Sequence, residues 1–244
     1  MQIEASELIL NPDGSIYHLN ILPEDIADTI FLVGDPDRVE EVSRYFDRIE
    51  IKKQKREFVT HTGTFNGKRI SAISTGIGTD NLDIVVNELD ALVNIDLKQR
   101  EIKPVTSSLQ LVRIGTSGAL QAHIPVDSYV LSEYGLGMDG LLNFYDASAY
   151  YETEISNEFI RQTGWASPLN TPYLIKGSEL LFGKLRKDCE TGITATACGF
   201  YGPQGRILRL PLQFPDLINQ LTHFQFGQHR ISNFEMETSA IYGL

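Results

Sequence analysis

Phe200, Tyr201, Gln204 and Arg206 fall within one phrase, FYGPQGR, built on a Gly-Pro turn. An aromatic ring offers a stacking face, an amide offers a donor beside an acceptor, and a guanidinium offers a planar fork of donors. Groups of these kinds, so close together, suit a flat ligand with polar edges. Arg38 in GDPDR (34–38) and Arg113 in RIGTSG (113–118) each lie beside a glycine turn. There backbone N–H groups can join a bidentate guanidinium on one oxyanion, and the Thr116 hydroxyl adds a donor. The plainer reading of Arg38 is a charge solvating a helix face. Glu235 and Glu237 bracket Met236 in NFEME. They face one way if the segment is extended and diverge if a helix has begun. A carboxylate here can grip vicinal hydroxyls, as on a ribose, or simply enrich a helix N-terminus in negative charge.

Turns of this kind act together only if strands deliver them. TIFLVGD (29–35) is an apolar run closed by Gly-Asp-Pro and predicts a buried strand. PDRVEEVSRYF follows at helical spacing, with Pro36 in the first turn and Val39, Val42 and Phe46 on one face. EFVTHTGTFNGKRISAIST alternates around Asn66-Gly67, a strong hairpin signal. TDNLDIVVNELDALVNID (79–96) predicts an amphipathic helix capped by Thr79 or Asp80. QLVRIGTSG, DSYVLSEYGLG and GITATACGF read as further strands, and ETEISNEFIRQTG and PDLINQLTHFQF as helices. ISNFEMETSAIYGL reads as a strand running into a helix, and LKQREIKPVTSS (97–108) as a surface connection. This alternation predicts an α/β fold, with residues 1–244 as a single domain around a central mixed sheet flanked by helices. In such sheets ligands sit beyond the strand ends.

Composition narrows the partners. The chain has 244 residues, 42% hydrophobic and 22% charged, with a net charge of −11, so nucleic acid is not an expected partner. No apolar run approaches the roughly 18 residues of a membrane helix, so no membrane partner is expected. MQIEASELIL carries acids and no basic leader, and a cytoplasmic location is expected. Cys189 and Cys198 form neither a close pair nor a metal cluster and read as buried thiols in a reducing compartment. GIGTDN is a poor dinucleotide fingerprint: Asn81 replaces the third glycine, and Asp96 ends a helix instead of following a second strand. A tight turn feeding a helix is the better reading.

The ordered series YHL, GDPDRV, REF, STGIG, RIGTSGAL, FYGPQGR and NFEME runs through nearly the whole chain. In that series the chain resembles the nucleoside phosphorylase family, specifically its uridine phosphorylase branch. The resemblance implies a phosphate site of Gly34, Arg38, Arg113 and Thr116, joined by Arg56 of KREF from a neighbouring subunit. It implies that His18 of YHL also crosses the subunit interface to reach the sugar. Thr116, Glu235, Met236 and Glu237 would contact ribose, and Phe200 would pack against sugar and base. Gln204 and Arg206 would read uracil, the flat polar ligand the opening phrase demands, whereas purine-specific relatives lack this pair. Arg38, Arg113 and Arg206 would be the catalytic side chains.

The activity so implied is a pentosyltransferase reaction of pyrimidine salvage, the reversible phosphorolysis of uridine to uracil and ribose 1-phosphate. It would run in a homo-oligomer with shared sites. Inorganic phosphate is the co-substrate, and neither a metal nor an organic cofactor is expected. Some bacterial relatives hold a monovalent cation near the positions of Glu57, Ile77 and Asn81. Asn81 stands where they have serine, which leaves that site open. Relatives continue past ETSAIYGL with another strand and a closing helix, so the chain is expected to be C-terminally short. The alternatives are a purine or broad-specificity phosphorylase of the same fold and a truncated, non-catalytic nucleoside-binding relative. A hydrolytic nucleosidase is a narrower rival, against which the arginines at 38, 56 and 113 argue.

Overall fold

The structure, a computed structural model, describes residues 2–165 and 170–244. Its contacts divide the chain into two units, Met1–Ile77 with Asn81–Gly115, and Gly78–Asp80 with Thr116–Leu244. The α/β class with mixed, helix-flanked sheets is the expected one, and hydrogen bonding groups the long strands into two such sheets.

The first unit contains β1 (Thr29–Val33), α1 (Pro36–Ser43), β2 (Arg48–Lys55), β3 (Phe58–Phe65) and β4 (Lys68–Ser74). It continues with most of α2 (Thr79–Asn94), the short β5 (Ile95–Asp96) and β6 (Glu101–Ile102), and β7 (Gln110–Ile114). Its five-stranded sheet has the order β2-β3-β4-β1-β7. β4 and β7 flank β1 in parallel, with Val33 opposite both Ser74 and Ile114. The turns at Gly34, Gly76 and Gly115 therefore open on one edge of the sheet. Asn66 and Gly67 both take positive φ, 49° and 74°, as a two-residue hairpin turn requires. β2, RIEIKKQK, is polar apart from Ile49 and Ile51 and was not expected as a strand. It is the sheet's edge, alternately exposed and half-buried, where charged side chains guard against pairing with other chains.

Asp35 caps α1 by accepting the Asp37 N–H at 3.0 Å. The helix packs Val39 against Val33 and Ala72, with Val42, Phe46 and Val59 around them. Its last residue, buried Ser43, meets buried His61 of β3, Oγ to Nδ1 at 2.7 Å. Burial, reinforced by the charge of Lys52, holds the His61 imidazole below its ordinary value. The unfolded chain then binds the extra proton more readily than the folded one. Stability contributed here is fully present above the unfolded-state value of about 6.5 and declines as pH falls through it. Thermal midpoints measured between pH 7.5 and 5.5 should fall with acidification, and the slope should flatten in His61→Gln. An equally steep slope in that variant would assign the effect elsewhere.

The second unit contains β8 (Gly118–Ala119), β9 (Val130–Gly137), α3 (Thr153–Thr163), β10 (Tyr173–Lys176) and α4 (Glu179–Leu185). β11 (Glu190–Thr196), α5 (Leu217–His223), β12 (Gln225–Phe226), β13 (His229–Glu235) and α6 (Thr238–Gly243) complete it. The order is β10-β9-β11-β13-β12, with β8 added to β13. β9, β11 and β13 run parallel, Thr196 lying opposite both Gly137 and Glu235. Their carboxyl ends deliver Asp139, Phe200 and Glu237 to one edge. Beneath that edge Leu136, Ile193, Ala195 and Ile231 pack against Phe159, Leu217, Leu221 and Phe224. α6 lies so close to β9 that a Cβ on Gly135 would stand 2.9 Å from the Ser239 Cα. A side chain there would lift the helix that follows Glu237.

Cys189 is half-buried and Cys198 exposed, which corrects the expectation of buried thiols. Each lies just outside β11, beyond the apolar stretch that enters the core.

Candidate active site

In the first unit the parallel register of β1 and β7 brings Gly34 and Arg113 together. A Cβ built on Gly34 would lie 3.8 and 3.9 Å from the two Arg113 Nη atoms. One built on Gly115 would lie 3.0 Å from the Arg113 Cζ, so the half-buried guanidinium is folded back over both glycine turns. A guanidinium over glycine backbone at a strand-end edge is an arrangement suited to an anion, in a chain of net charge −11. Arg38 occupies the third position of α1, half-buried. Among the described residues its side chain makes no hydrogen bond or ion pair, so its charge is not neutralised internally. Thr116, exposed, is the first residue of the second unit's main segment.

His18 and Arg56 each follow one of a touching pair, Tyr17 and Lys55. Arg56 is exposed, with φ 55°, in the turn between β2 and β3. The preceding Lys55 donates to the Tyr17 carbonyl and, at 2.9 Å, to Asn11 Oδ1. Its ammonium also stands 4.1 Å from the centroid of the Tyr17 ring. The residue before Arg56 thus grips the residue before His18, a juxtaposition the sequence separation concealed.

In the second unit the FYGPQGR turn is already assembled. Arg206 donates from Nη1 to the Phe200 carbonyl at 2.7 Å and to Gln204 Oε1. Its Cζ lies 3.9 Å from the Phe200 ring centroid and 5.0 Å from that of Phe234. Both bonds use Nη1, which among the described residues leaves Nη2 and Nε for a ligand. Gln204 is only 3% exposed. Because Arg206 donates, the amide oxygen is the atom that faces it, and Nε2 points toward the Glu235 carbonyl at 3.4 Å. Phe200, half of whose surface is exposed at 51%, supplies an open ring face. The arrangement brings a stacking face, an oriented amide and a fixed guanidinium together in one turn, groups suited to a flat ligand with polar edges.

Glu235 and Glu237 have different surroundings. Glu235 ends β13, and its carboxylate accepts the Thr196 hydroxyl at 2.7 Å and the N–H groups of Glu237 and Thr238 at 2.8 and 2.9 Å. It ties the start of α6 to β11. Glu237, 4% exposed, accepts the Gly78 N–H at 2.8 Å. Half-buried Met236 lies between them. Sequence reasoning named both acids but could not divide their work, since the division follows from the Thr196–Glu235 register. It also passed over Thr196 and Phe234. Phe234 was visible in NFEME, yet a buried ring behind Arg206 has no local signature.

Gly76 and Gly78, with φ 71° and 96°, make the tight turn ahead of α2, in keeping with the plain reading of GIGTDN. Of the residues singled out for a cation, Asn81 donates its amide to the Ile77 carbonyl at 3.2 Å, and Glu57 lies against Gly76. Among the described residues no group of three or more His, Cys, Asp or Glu is placed to hold a metal ion. No described helix is long and apolar enough to cross a membrane.

The family model of the phosphorylase superfamily matches residues 28–244. A uridine phosphorylase of Thermococcus kodakarensis is 29% identical over 235 residues, which is 95% of this chain and 72% of the relative. A purine nucleoside phosphorylase of DeoD type from Bacillus velezensis is 32% identical over 116 residues, 47% of this chain and 44% of the relative. The solved structure of a Trypanosoma brucei nucleoside phosphorylase, described as showing uridine phosphorylase activity, matches with a TM-score of 0.85. That match has 29% identity and covers 96% of this chain and 84% of the other. A uridine phosphorylase of Phytophthora capsici, 22% identical, shares the fold at a TM-score of 0.65, over 99% of this chain and 82% of that one.

Proposed function

The chain belongs to the phosphorylase superfamily, and from that membership we propose that it cleaves uridine with inorganic phosphate, reversibly, to uracil and ribose 1-phosphate. The observation that carries the pyrimidine assignment is the Gln204–Arg206–Phe200 cluster, bonded and stacked before any base arrives. The Gln204 amide pairs with one ring carbonyl and the ring N–H, and Arg206 donates to the other carbonyl. A base without those groups strands buried polar atoms, which is how such sites discriminate.

Arg38, Arg113 and the backbone at Gly34 hold phosphate, with Thr116 as a further donor. Glu237 and Met236 serve the ribose, and Glu235 fixes the backbone that carries them. A phosphate oxygen bonds to the anomeric carbon as the bond from that carbon to the uracil nitrogen breaks. The sugar passes through an oxocarbenium-like state that the phosphate charge stabilises. Negative charge left on uracil is met by Arg206 and Gln204, and the proton of hydrogen phosphate ends on the released base. A second copy of the chain supplies Arg56 to the phosphate and His18 to the sugar; the Lys55 contact that joins their loops supports this shared role. The reaction belongs to pyrimidine salvage in the cytoplasm and draws on no cofactor.

The test is a nucleoside panel of uridine, deoxyuridine, thymidine, inosine and adenosine, assayed with and without phosphate. Uridine should be cleaved only when phosphate is present, giving ribose 1-phosphate. Release of free ribose without phosphate would make the protein a hydrolase, and preference for inosine or adenosine would overturn the base assignment.

A further inference from the structure

Glu88, on α2, has no place in the proposed chemistry, yet its carboxylate is a hub. It accepts the His18 N–H at 2.9 Å through Oε1 and 3.1 Å through Oε2, and the Leu19 N–H at 2.8 Å through Oε2. Oε1 also meets the His18 ring at Nδ1, 2.7 Å away. The Glu88 side chain is 12% exposed and that of His18 27%, so the carboxylate is enclosed while part of the ring remains open. Across the same segment Lys55 holds the Tyr17 carbonyl, and the Tyr17 ring meets the His18 ring edge to face at 4.8 Å. Residues 17–19 are thereby gripped from two sides.

A carboxylate can only accept, so Nδ1 carries the hydrogen. In the neutral imidazole Nε2 is then a bare acceptor, since the partner of one ring nitrogen decides the state of the other. We infer that Glu88 is a positioning residue that fixes both the orientation of His18 and which of its nitrogens bears the proton. The inference rests on the reading of His18 as a sugar contact. The bare Nε2 takes the hydrogen of a sugar hydroxyl. With the proton on Nε2 instead, that hydroxyl would have to accept, and its own hydrogen would lose its partner on desolvation.

Glu88→Gln separates this role from simple anchoring of the loop. The amide oxygen can still accept the two backbone N–H groups, but the amide nitrogen then faces Nδ1 and donates to it. The expected result, in nitrogen NMR of histidine-labelled protein at a pH where the imidazole signals no longer move, is a proton on Nδ1 in the wild-type chain and on Nε2 in the variant. The KM for uridine should rise about 10-fold, the value of one hydrogen bond, with kcat and the phosphate KM within about 2-fold. In a His18→Ala background the same Glu88→Gln change should add nothing, because its effect passes through the ring. An unchanged tautomer, or effects of the two substitutions that simply add, would overturn the inference. The NMR readout needs no turnover. A wild-type chain that carries the proton on Nδ1, and loses it to Nε2 on Glu88→Gln, but does not cleave uridine with phosphate would refute the proposed reaction and leave the Glu88–His18 assignment standing.

Discussion

Alanine at both 204 and 206 should lower kcat/KM for uridine by about 1,000-fold and leave the KM for phosphate nearly unchanged. Donors aimed at developing charge are worth about 3–4 kcal/mol each in such sites, but these two will not add. Arg206 donates to Gln204 Oε1, and Gln204 is almost wholly buried. Removing Arg206 alone strands that amide oxygen and frees the Phe200 ring from its cation, so Arg206→Ala should cost nearly as much as the double change. Arg206→Lys keeps the charge without the fork and should recover little, because a single ammonium cannot bond Gln204 and the Phe200 carbonyl while also facing a base. Steady-state rates with each substrate varied in turn give the answer. Equal losses toward uridine and phosphate would place the anion, and not the base, at this turn.

The second large effect concerns the arginines of the first unit. Arg56→Ala and Arg113→Ala should each reduce phosphorolysis at least 100-fold when assayed alone, as loss of a charge-assisted clamp on a transferred anion does. Unfolded and remixed in equal amounts, the two variants should regain about a quarter of wild-type activity. In a symmetric oligomer with sites shared across subunits, half the sites keep Arg113 and half of those meet a partner that keeps Arg56. Mixed oligomers proven by mass or by tag, yet without recovery, would show that both arginines serve the site of their own chain. Half-buried Arg113, folded over Gly34 and Gly115, and exposed Arg56, in the turn after Lys55, differ in the way this division of labour requires.

Much of the fold could be read locally. The apolar run of β1, the Asn66-Gly67 hairpin, the amphipathic period of α2 and the strand-into-helix pattern of β13 and α6 all lie where the sequence placed them. Each is a short-range signal of turn chemistry or hydrophobic period. β2, RIEIKKQK, was hidden because its apolar alternation stops after Ile49 and Ile51 and gives way to lysine and glutamine, as suits an edge strand. β10, four residues long, is defined by its pairing with β9. α4, seven residues long, falls short of the window in which a helical period can be counted.

The chemistry divides in the same way. Residue types and glycine turns are written in the chain, so Gly34, Arg113, Gln204 and Arg206 could be singled out before any coordinates. Two glutamates two residues apart look alike in sequence. Only the parallel register of β11 and β13 gives the Glu235 carboxylate to the Thr196 hydroxyl, while the turn ahead of α2 gives Glu237 the Gly78 N–H. The Glu88 grip on His18 spans 70 residues and follows from no motif. Local conformation is dictated by each residue's own backbone preferences and its near neighbours. The partner of a buried charge is chosen by whichever distant donors the packed chain leaves within reach, and that choice exists only after folding.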